Sequence, residues 1–365
     1  MQFDFFPSRT LTLYLAKLFV TRTLAVLIML VLVLQTLDLL SESGKILAYP
    51  GNGEGELWTY VVLRAPQLVA RFLPYSVLLA TIITLATLNQ NSEVIAMKAA
   101  GLSAHQVLAP LLVSALAISV LSFTFNERVV TRSSAMLQAW SNVDYGPVPK
   151  DSDQRSNVYF RDGANILTAA TLRGRGAGTV MEGVTWYRRD ARGTVVEQVR
   201  APRATWTAQG WRLDGVTRFD VASTRVTPAA TMTVAPELGP AEVAVRTVDA
   251  DAQNIFELSR SIDELRASGR RTAELDGQWW HKISGPLSAV LMPLLGAVAA
   301  FGLARSGQLL IRAIIGMALG FAYFVVDNAA LAMGSFGGYP PLVAAWAPFL
   351  LFALLGETVL VRTEE

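Results

Sequence analysis

The stretch LAVLIMLVLVLQTLDLL, residues 24–40, carries one charged side chain, that of Asp38, in 17 positions. A helix that crosses the hydrocarbon core of a bilayer, about 30 Å thick, needs about 20 mainly apolar residues. The stretch approaches this length and lacks the polar face that a surface helix of a soluble domain carries. It therefore predicts a membrane-spanning helix.

Five more segments of the chain have the same apolar character. They are residues 72–88, 107–125, 283–304, 313–333 and 342–360. The spans at 24–40 and 72–88 are short, so we expect their helices to extend outward through Tyr14 and Leu57. The sequence thus predicts a membrane α-helical protein with six transmembrane helices, arranged as three, a long central segment and three more.

The first apolar run also has the features of a signal peptide, because Arg9, Lys17 and Arg22 precede it. However, the apolar character resumes as far as Leu40, and no convincing A-x-A cleavage site follows. We therefore expect this segment to be retained as the first span.

Most of the charge lies in the central segment. The chain has 31 Lys or Arg and 29 Asp or Glu, and 20 of the first group and 19 of the second fall between residues 126 and 281. Apolar and polar residues alternate there, as around Val158 and Phe160, and polar turns such as Asp162-Gly163 recur. Short strands with turns every 8 to 12 residues predict an antiparallel sandwich or roll.

A helical pattern closes the central segment. Ile255, Leu258, Ile262 and Leu265 recur at helical spacing, and Gly269 follows them. We expect a short amphipathic helix that leads back to the membrane.

The lysines and arginines beside the spans are divided unevenly between the two sides. One side holds Arg9, Lys17, Arg22, Lys98, Arg305, Arg312 and Arg362, and the other holds Lys45, Arg64 and Arg71. By the positive-inside rule both termini lie in the cytoplasm, and the insert lies outside, which is the periplasm in a Gram-negative cell. The expected domains are residues 1–125 with spans one to three, 126–280 with the insert, and 281–365 with spans four to six.

Several chemistries are excluded by composition. The chain has no Cys, so thiolate nucleophiles, thiolate metal sites and disulfides are impossible, and with two His in total it cannot build a multi-histidine metal site. A net charge of +2 gives no reason to expect a nucleic-acid partner. The sequence also lacks a P-loop, since Gly44-Lys45 is followed by Ile46, and it has no G-x-S-x-G elbow. We expect no cofactor, and any energy must come from a partner.

The loop between spans two and three is the most informative part of the cytoplasmic side. Asn91 or Ser92 can cap a helix, Glu93 complements the helix dipole, and Gly101 suits a left-handed stop. This predicts about nine residues of helix within 91–101. Capping and periodicity leave two interpretations: an ordinary interfacial turn, or a coupling helix that fits a groove of a cytoplasmic motor subunit.

Residues 91–103, NSEVIAMKAAGLS, resemble the S-E-[LV]-x-A-[LM]-[RK]-A-[SA]-G-[FLMV]-S stretch of the LptF/LptG (YjgP/YjgQ) lipopolysaccharide export permeases. Residues 280–288, WHKISGPLS, resemble the family's W-x-K-I-x-x-P-L-S entry to span four, and Pro340-Pro341 resembles its Pro-Pro turn. The resemblance covers the whole chain. Leu37-Asp38-Leu39 and Val326-Asp327-Asn328 look more like the G than the F paralogue.

The resemblance implies half of an ABC exporter. In such a machine an F-like and a G-like permease subunit sit on a dimeric LptB-like ATPase, which alone uses ATP. They extract lipopolysaccharide from the inner membrane and pass it to a periplasmic bridge of LptC-like and LptA-like proteins. The insert would then be a β-jellyroll. Glu93 matches the acidic position of the coupling helix and is expected to contact the ATPase, while Ser92, Ala100 and Gly101 shape the same helix.

A cavity for lipid A needs cations at its outer rim and apolar walls below them. Arg64 and Arg71 lie two helical turns apart on the outer approach of span two, so we predict phosphate contacts there, with snorkelling arginines as the alternative. Lys45 and Gln35 are weaker candidates for substrate binding. The family often has basic residues near the outer end of span one, where this chain reads Gln35, Asp38 and Glu42.

Asp327 lies well inside span five, where an acid is costly and usually faces a cavity or a partner. We predict a gate contact for Asp327, with Asn328 beside it, and a hydrogen-bonded structural acid is the alternative. Asp38, near the outer end of span one, is a further gate or cavity candidate. Gly316-x-x-x-Gly320 and Gly296 permit close packing of helices.

Two other classes of function compete with transport. An integral membrane enzyme that modifies an envelope lipid could use Asp38 or Asp327, but paired carboxylates, usable histidines and thiols are missing. A scaffold for envelope assembly would need no ATPase. The resemblance favours the permease, with enzymatic activity confined to the ATPase.

Overall fold

The computed structural model describes residues 7–141, 144–148, 155–174, 178–190, 193–236, 238–239, 243, 249–267, 269–301 and 309–364. The helices are α1 (Arg9–Ala48), α2 (Glu54–Gln90), α3 (Glu93–Ala99), α4 (Ala104–Phe125), α5 (Thr131–Ser141), α6 (Ile255–Ala267), α7 (Ala273–Phe301), α8 (Leu309–Ser335) and α9 (Pro341–Glu364). A π-helical segment, Asn126–Val130, joins α4 to α5.

Five helices of the described part are long and apolar enough to cross a membrane. They are Arg9–Ala48, Glu54–Gln90, Ala104–Ser141, Ile314–Ser335 and Pro341–Arg362. The fourth predicted span, residues 283–304, falls on α7 and on residues outside the described part. The count of six spans in a three-plus-three arrangement therefore stays a prediction.

The spans are longer than the apolar runs that predicted them. Helices α1 and α2 include Tyr14 and Leu57, as expected, and α2 continues through Pro66 and Pro74. The third span was expected to end at Phe125, but the helix continues through the π-helical segment to Ser141. Residue 126, the predicted start of the insert with its connecting segments, lies within this continuous helix, and the domain bounds stay a prediction.

Helix α7 is the centre of the helical part, where it contacts α2, α4, α8 and α9. Its inner residues Ala289, Met292 and Leu295 are fully buried. Gly296 allows close approach to α2, since a Cβ there would lie 2.8 Å from Thr81 Cγ2. The predicted role of Gly296 in helix packing is confirmed.

Helix α1 lies at the edge of the helical part and contacts α2 and α4. Many of its apolar side chains are exposed, among them Leu24, Ile28, Met29, Leu32 and Leu37. These side chains need lipid or another protein around them in the membrane. Helix α3 lies at one end of the helical part, between α2 and α4; α5 and the connections to the insert lie at the other, which we call the insert end.

The insert is an antiparallel six-stranded sheet. Its strands are β1 (Arg155–Asp162), β2 (Asn165–Arg173), β3 (Val180–Arg189), β4 (Val195–Thr207), β5 (Gly210–Asp220) and β6 (Arg225–Val234). They pair in chain order, with registers such as Thr168↔Thr185 and Trp206↔Trp211. Alternation at period two therefore predicted the strands correctly. The described strands form one meander, without the crossover connections that define a jellyroll in the strict sense.

One face of the sheet carries the core of the insert. Trp211 is fully buried, donates from Nε1 to the Leu238 carbonyl at 2.7 Å, and meets Trp206 edge to face. Strand β6, at one edge of the described sheet, is mostly exposed. The predicted closing helix is confirmed as α6, which buries Leu258, Ile262 and Leu265 and is followed by Gly269 at φ +71°.

Candidate coupling and lipid-contact sites

The short helix α3 follows α2 after a tight turn. It buries Val94 and Met97 against the helical part and turns its other residues outward. The chain then leaves the helix through Gly101 at φ +89°, and Leu102 N donates to the Met97 carbonyl at 3.1 Å. A left-handed glycine with this backbone bond is the expected helix stop. The helix has seven residues instead of about nine.

The predicted N-terminal cap is wrong in its chemistry. Ser92 occupies the cap position in the left-handed conformation, at φ +60°, and its side chain makes no capping hydrogen bond. Asn91 Nδ2 instead donates to Glu93 Oε1 at 3.3 Å. The left-handed conformation of Ser92 lies in the two-residue turn that joins α2 to α3.

Glu93 makes a long-range contact that the sequence did not indicate. The Tyr14 hydroxyl, near the start of α1, donates to Glu93 Oε2 at 3.1 Å. Glu93 therefore joins α3 to the first span. Sequence reasoning gave Tyr14 only as part of an extended helix, since nothing in its spacing points to residue 93.

The outward face of α3 combines a large apolar side chain with small ones. Ile95 is 61% exposed, and Ala96, Ala99 and Ala100 beside it are also exposed. Small residues around one exposed apolar side chain let another protein approach closely, which is how a helix fits into a groove. The face thus offers a compact docking surface with Glu93 at its N-terminal edge.

At the opposite end of α1 and α2 the structure brings together two residues that the sequence assigned to different roles. Arg64, the predicted phosphate contact, donates from Nε to Asp38 Oδ2 and from Nη2 to Asp38 Oδ1, each at 3.0 Å. The Tyr60 hydroxyl also donates to Asp38 Oδ2, at 2.6 Å. Arg64 is therefore held by a bidentate ion pair with the predicted gate residue.

The other predicted phosphate contact, Arg71, is exposed and makes no hydrogen bond or ion pair with any of the described residues. Burial and then the neighbouring Asp249 raise the pKa of the Asp251 carboxyl, and the nearby positive charges of Lys282 and Arg71 offset part of this rise. Arg71 therefore lies near Asp251, at the insert end. Arg71 is thus a cation at the insert end that is open to a ligand.

Lys45 lies at the surface. Its Nζ pairs with Glu42 Oε1 at 2.8 Å, and its side chain is 68% exposed. The other oxygen of Glu42 accepts a hydrogen bond from the Tyr145 hydroxyl at 3.1 Å. Burial, followed by this bond, raises the pKa of Tyr145 to about 12. Exposed pairs of the Lys45 type contribute little to stability.

Gln35, a weaker candidate for substrate binding, is buried. It lies one turn before Asp38 on α1 and is 7% exposed. Neither atom of its amide group has a hydrogen-bond partner among the described residues. The role of Gln35 in substrate binding stays a prediction.

Asp327 lies inside the helical part and faces α7, not its neighbour in sequence. His281 Nε2 is 3.8 Å from Asp327 Oδ2, and Ser284 Oγ is 3.3 Å from His281 Nδ1. Asp327 is 5% exposed. Asn328 is exposed and donates to the Phe324 carbonyl of its own helix at 2.7 Å. Adjacent residues of a helix point about 100° apart, so Asp327 and Asn328 face different surroundings, and their role at a gate stays a prediction.

His281 was missed as a partner for Asp327. The signal that could have found it is the position of a lone His at the entry of a predicted span, where an imidazole needs a polar partner. A second missed contact lies beside it: Lys282 Nζ is 3.3 Å from Glu127 Oε1, and Glu127 Oε2 accepts from Ile255 N, at the start of α6, at 2.6 Å. Glu127 thus connects α6 and α7 to the π-helical segment.

No group of three or more His, Cys, Asp or Glu able to hold a metal ion occurs within the part of the chain that the structure describes. Most of the polar side chains described above form pairs or triads, whereas the Gln35 amide has no partner among the described residues.

The chain is similar to one family of known proteins over nearly its whole length. Residues 13–362 match the family model described as "Lipopolysaccharide export system permease LptF/LptG". Lipopolysaccharide export system permease protein LptG of Escherichia coli (strain K12) is 26% identical over 365 residues, covering 98% of this chain and 99% of the relative. The protein of the same name from Haemophilus influenzae is 23% identical over 324 residues, 86% of this chain and 89% of the relative.

Proposed function

Since the chain belongs to the LptF/LptG family of lipopolysaccharide export permeases, we propose that it acts as the G-like half of a two-subunit permease. The chain is a multi-pass inner-membrane permease of the lipopolysaccharide export system and not an enzyme, and its ATPase is a separate subunit. The identity of each partner and the roles of individual residues are the proposals argued below.

The proposed partners are an LptF-like second permease half, a dimeric LptB-like ATPase, and LptC-like and LptA-like bridge proteins. The exposed apolar side chains of α1 support a second membrane subunit, because a neighbouring helix bundle would cover them. The exposed edge strand β6 supports a bridge partner that adds a strand to the sheet. We propose that both termini are cytoplasmic and that the sheet is periplasmic, as the distribution of Lys and Arg predicts.

The observation that carries the proposed coupling role is the exposed face of α3, with Ile95 outward and Glu93 at its edge. Ser92 and Gly101 provide the left-handed residues that start and end this helix, and Ala100 keeps its last turn small. We propose that the ATPase receives this helix in a groove and moves it during the nucleotide cycle.

For the substrate, we propose that Arg64 and Arg71 contact phosphates of lipid A, with Lys45 at the periphery. Gln35 would join them only if α1 moved, because its amide is buried. Asp38, Asp327 and Asn328 remain proposed gate or cavity residues, and Asp327 would act through His281.

Affinity purification of the full chain from detergent-solubilised membranes tests the proposed assembly. The ATPase and a second permease half should co-elute, and replacement of Ile95 by Asp should remove the ATPase while it leaves the second half bound. Phe256→Asp, which makes the same kind of change at an exposed apolar residue of α6, at the insert end, is the control and should leave the ATPase bound. Recovery of the chain without either partner would reject the proposal.

A further inference from the structure

At the insert end, the Arg64 guanidinium on α2 already binds an anion, the Asp38 carboxylate on α1. Asp38 presents both carboxylate oxygens to Nε and Nη2 of Arg64, each at 3.0 Å. A phosphate group offers the same pair of oxygens to the same edge of a guanidinium. Phosphate and Asp38 therefore need the same donors of Arg64.

The rest of the cluster favours this arrangement of Arg64 while the site is empty. The Tyr60 hydroxyl donates to Asp38 Oδ2, and Arg64 Nη1 donates to Gln67 Oε1. The carboxylate is thus held in place from α2 as well as from α1. Because Asp38 lies on α1 and the other residues lie on α2, the ion pair is also a link between the two helices.

Both members of the pair can be reached from outside. The side chain of Arg64 is 30% exposed and that of Asp38 is 23% exposed. Partly exposed ion pairs are weak because water screens them, so a dianionic phosphate can compete for the guanidinium. A fully buried pair would hold its partners too strongly for such an exchange.

Resting on the proposed function of Arg64, we propose that Asp38 is an internal counter-ion that competes with a phosphate of the lipopolysaccharide for the Arg64 guanidinium. When lipid is bound, phosphate occupies Nε and Nη2, and Asp38 is released from α2. When lipid leaves, Asp38 returns and lowers the affinity of the site. The residue thereby favours release of the substrate.

Competition between Asp38 and phosphate predicts whether a mutation of Asp38 raises or lowers the affinity for lipid. Removing the negative charge with Asp38→Asn should strengthen binding of a phosphorylated lipid, because the competitor for Arg64 is weakened. If Asp38 only positions Arg64 for the lipid, the same change should weaken binding. The two mechanisms therefore give opposite results for one variant.

The experiment uses the full chain in its complex with the second permease half and the ATPase, in nanodiscs. The probes are lipid A with two phosphates, lipid A from which both phosphates have been removed, and phosphatidylglycerol. Asp38→Asn should bind the phosphorylated lipid A about tenfold more tightly, equal to about 1.4 kcal/mol. Binding of the dephosphorylated lipid should not change. An equal gain for phosphatidylglycerol would overturn the assignment to the lipopolysaccharide phosphate.

Two further variants test whether the change in binding arises from competition for Arg64. Tyr60→Phe removes one hydrogen bond from Asp38 but keeps the charge, so it should tighten binding in the same direction by a smaller factor; it also serves if Asp38→Asn does not fold. In the Arg64→Gln background, Asp38→Asn should have no effect, because the two anions no longer compete.

Failure of the counter-ion role of Asp38 can be distinguished from failure of the phosphate contact of Arg64. If Arg64→Gln weakens binding of phosphorylated lipid A but Asp38→Asn leaves it unchanged or weakens it, the counter-ion inference is overturned and the phosphate contact survives. If Arg64→Gln itself has no effect on that binding, the proposed phosphate contact fails and the inference fails with it.

Discussion

The Tyr14 hydroxyl donates a hydrogen bond to Glu93 Oε2 at 3.1 Å, although the two residues lie 79 positions apart. Tyr14 belongs to α1, a single helix of 40 residues that also carries Asp38 toward its opposite end. Helix α3, which the ATPase is proposed to move, is therefore hydrogen-bonded to α1, and α1 also carries Asp38, the partner of Arg64. A displacement of α3 can reach the insert end through α1 without passing through any loop.

Replacement of Tyr14 by Phe should weaken coupling without affecting membrane insertion. The change removes one hydrogen bond to a carboxylate, worth about 1 kcal/mol at a partly exposed site. We expect lipopolysaccharide release per ATP hydrolysed to fall severalfold in proteoliposomes, and Glu93→Gln to have at least as large an effect. Tyr49→Phe, at the other end of α1, is the matched control. Equal release per ATP in Tyr14→Phe and Tyr49→Phe would show that the contact plays no part in coupling.

Arg71 and Lys45 should differ as lipid contacts. Arg71 has no hydrogen-bond or ion-pair partner among the described residues, whereas Lys45 already pairs with Glu42 at 2.8 Å. Arg71→Gln should reduce photo-crosslinking of lipopolysaccharide to the assembled complex severalfold, since a phosphate contact is lost. Lys45→Gln, which removes the same charge, should have little effect. Undiminished crosslinking in Arg71→Gln would identify Arg71 as a snorkelling residue.

Asp327 and Asn328 provide a matched pair of neighbours on different faces of α8. Asp327→Asn should slow lipid release while assembly with the partners is retained, because it changes the contact with His281 across to α7. Asn328→Ala should leave release unchanged, since its amide bonds only its own helix. His281→Gln should resemble Asp327→Asn, and the double variant should be no worse than either single one. Normal release in Asp327→Asn would leave this acid with a structural role only.

Replacing Gly320 by a residue with a side chain should destabilise the packing of α8 against α2. A Cβ at this position would overlap the side chain of Leu78 on α2, so α8 and α2 depend on the missing methyl group for their approach. Gly320→Val should reduce the free energy of unfolding by about 1–3 kcal/mol, the usual effect of overpacking. Thermal unfolding in detergent measures this. Leu78→Ala should partly restore stability in the double variant, and Gly55→Ala, where a Cβ meets open space, should be neutral.

The sequence predicted the elements of this fold better than their contacts. Apolar runs and period-two alternation give the spans and strands because both patterns depend on local residue order. The third span was predicted too short, since polar residues beyond the apolar layer can continue a helix. The run that predicted the fourth span includes residues outside the described part, so its crossing of the membrane stays a prediction.

The candidate sites show why long-range contacts were harder to predict. Glu93, Arg64 and Asp327 were identified from charge and position in the chain, but Tyr14, Asp38 and His281, which they contact, come from other helices. Their pairing is set by the register between helices, which no local pattern of residues records. The direction of neighbouring side chains is equally hidden: Asn328 follows Asp327 in the chain but is exposed and bonds its own helix.

The central claim is that this chain is a passive permease half, moved by a separate ATPase. Transfer of lipopolysaccharide from proteoliposomes to a soluble acceptor tests it directly, with the purified chain alone, with its second half, and with the ATPase and ATP added. We predict transfer only when both permease halves, the ATPase and ATP are present. Transfer or chemical alteration of the lipid by the chain alone would contradict the account.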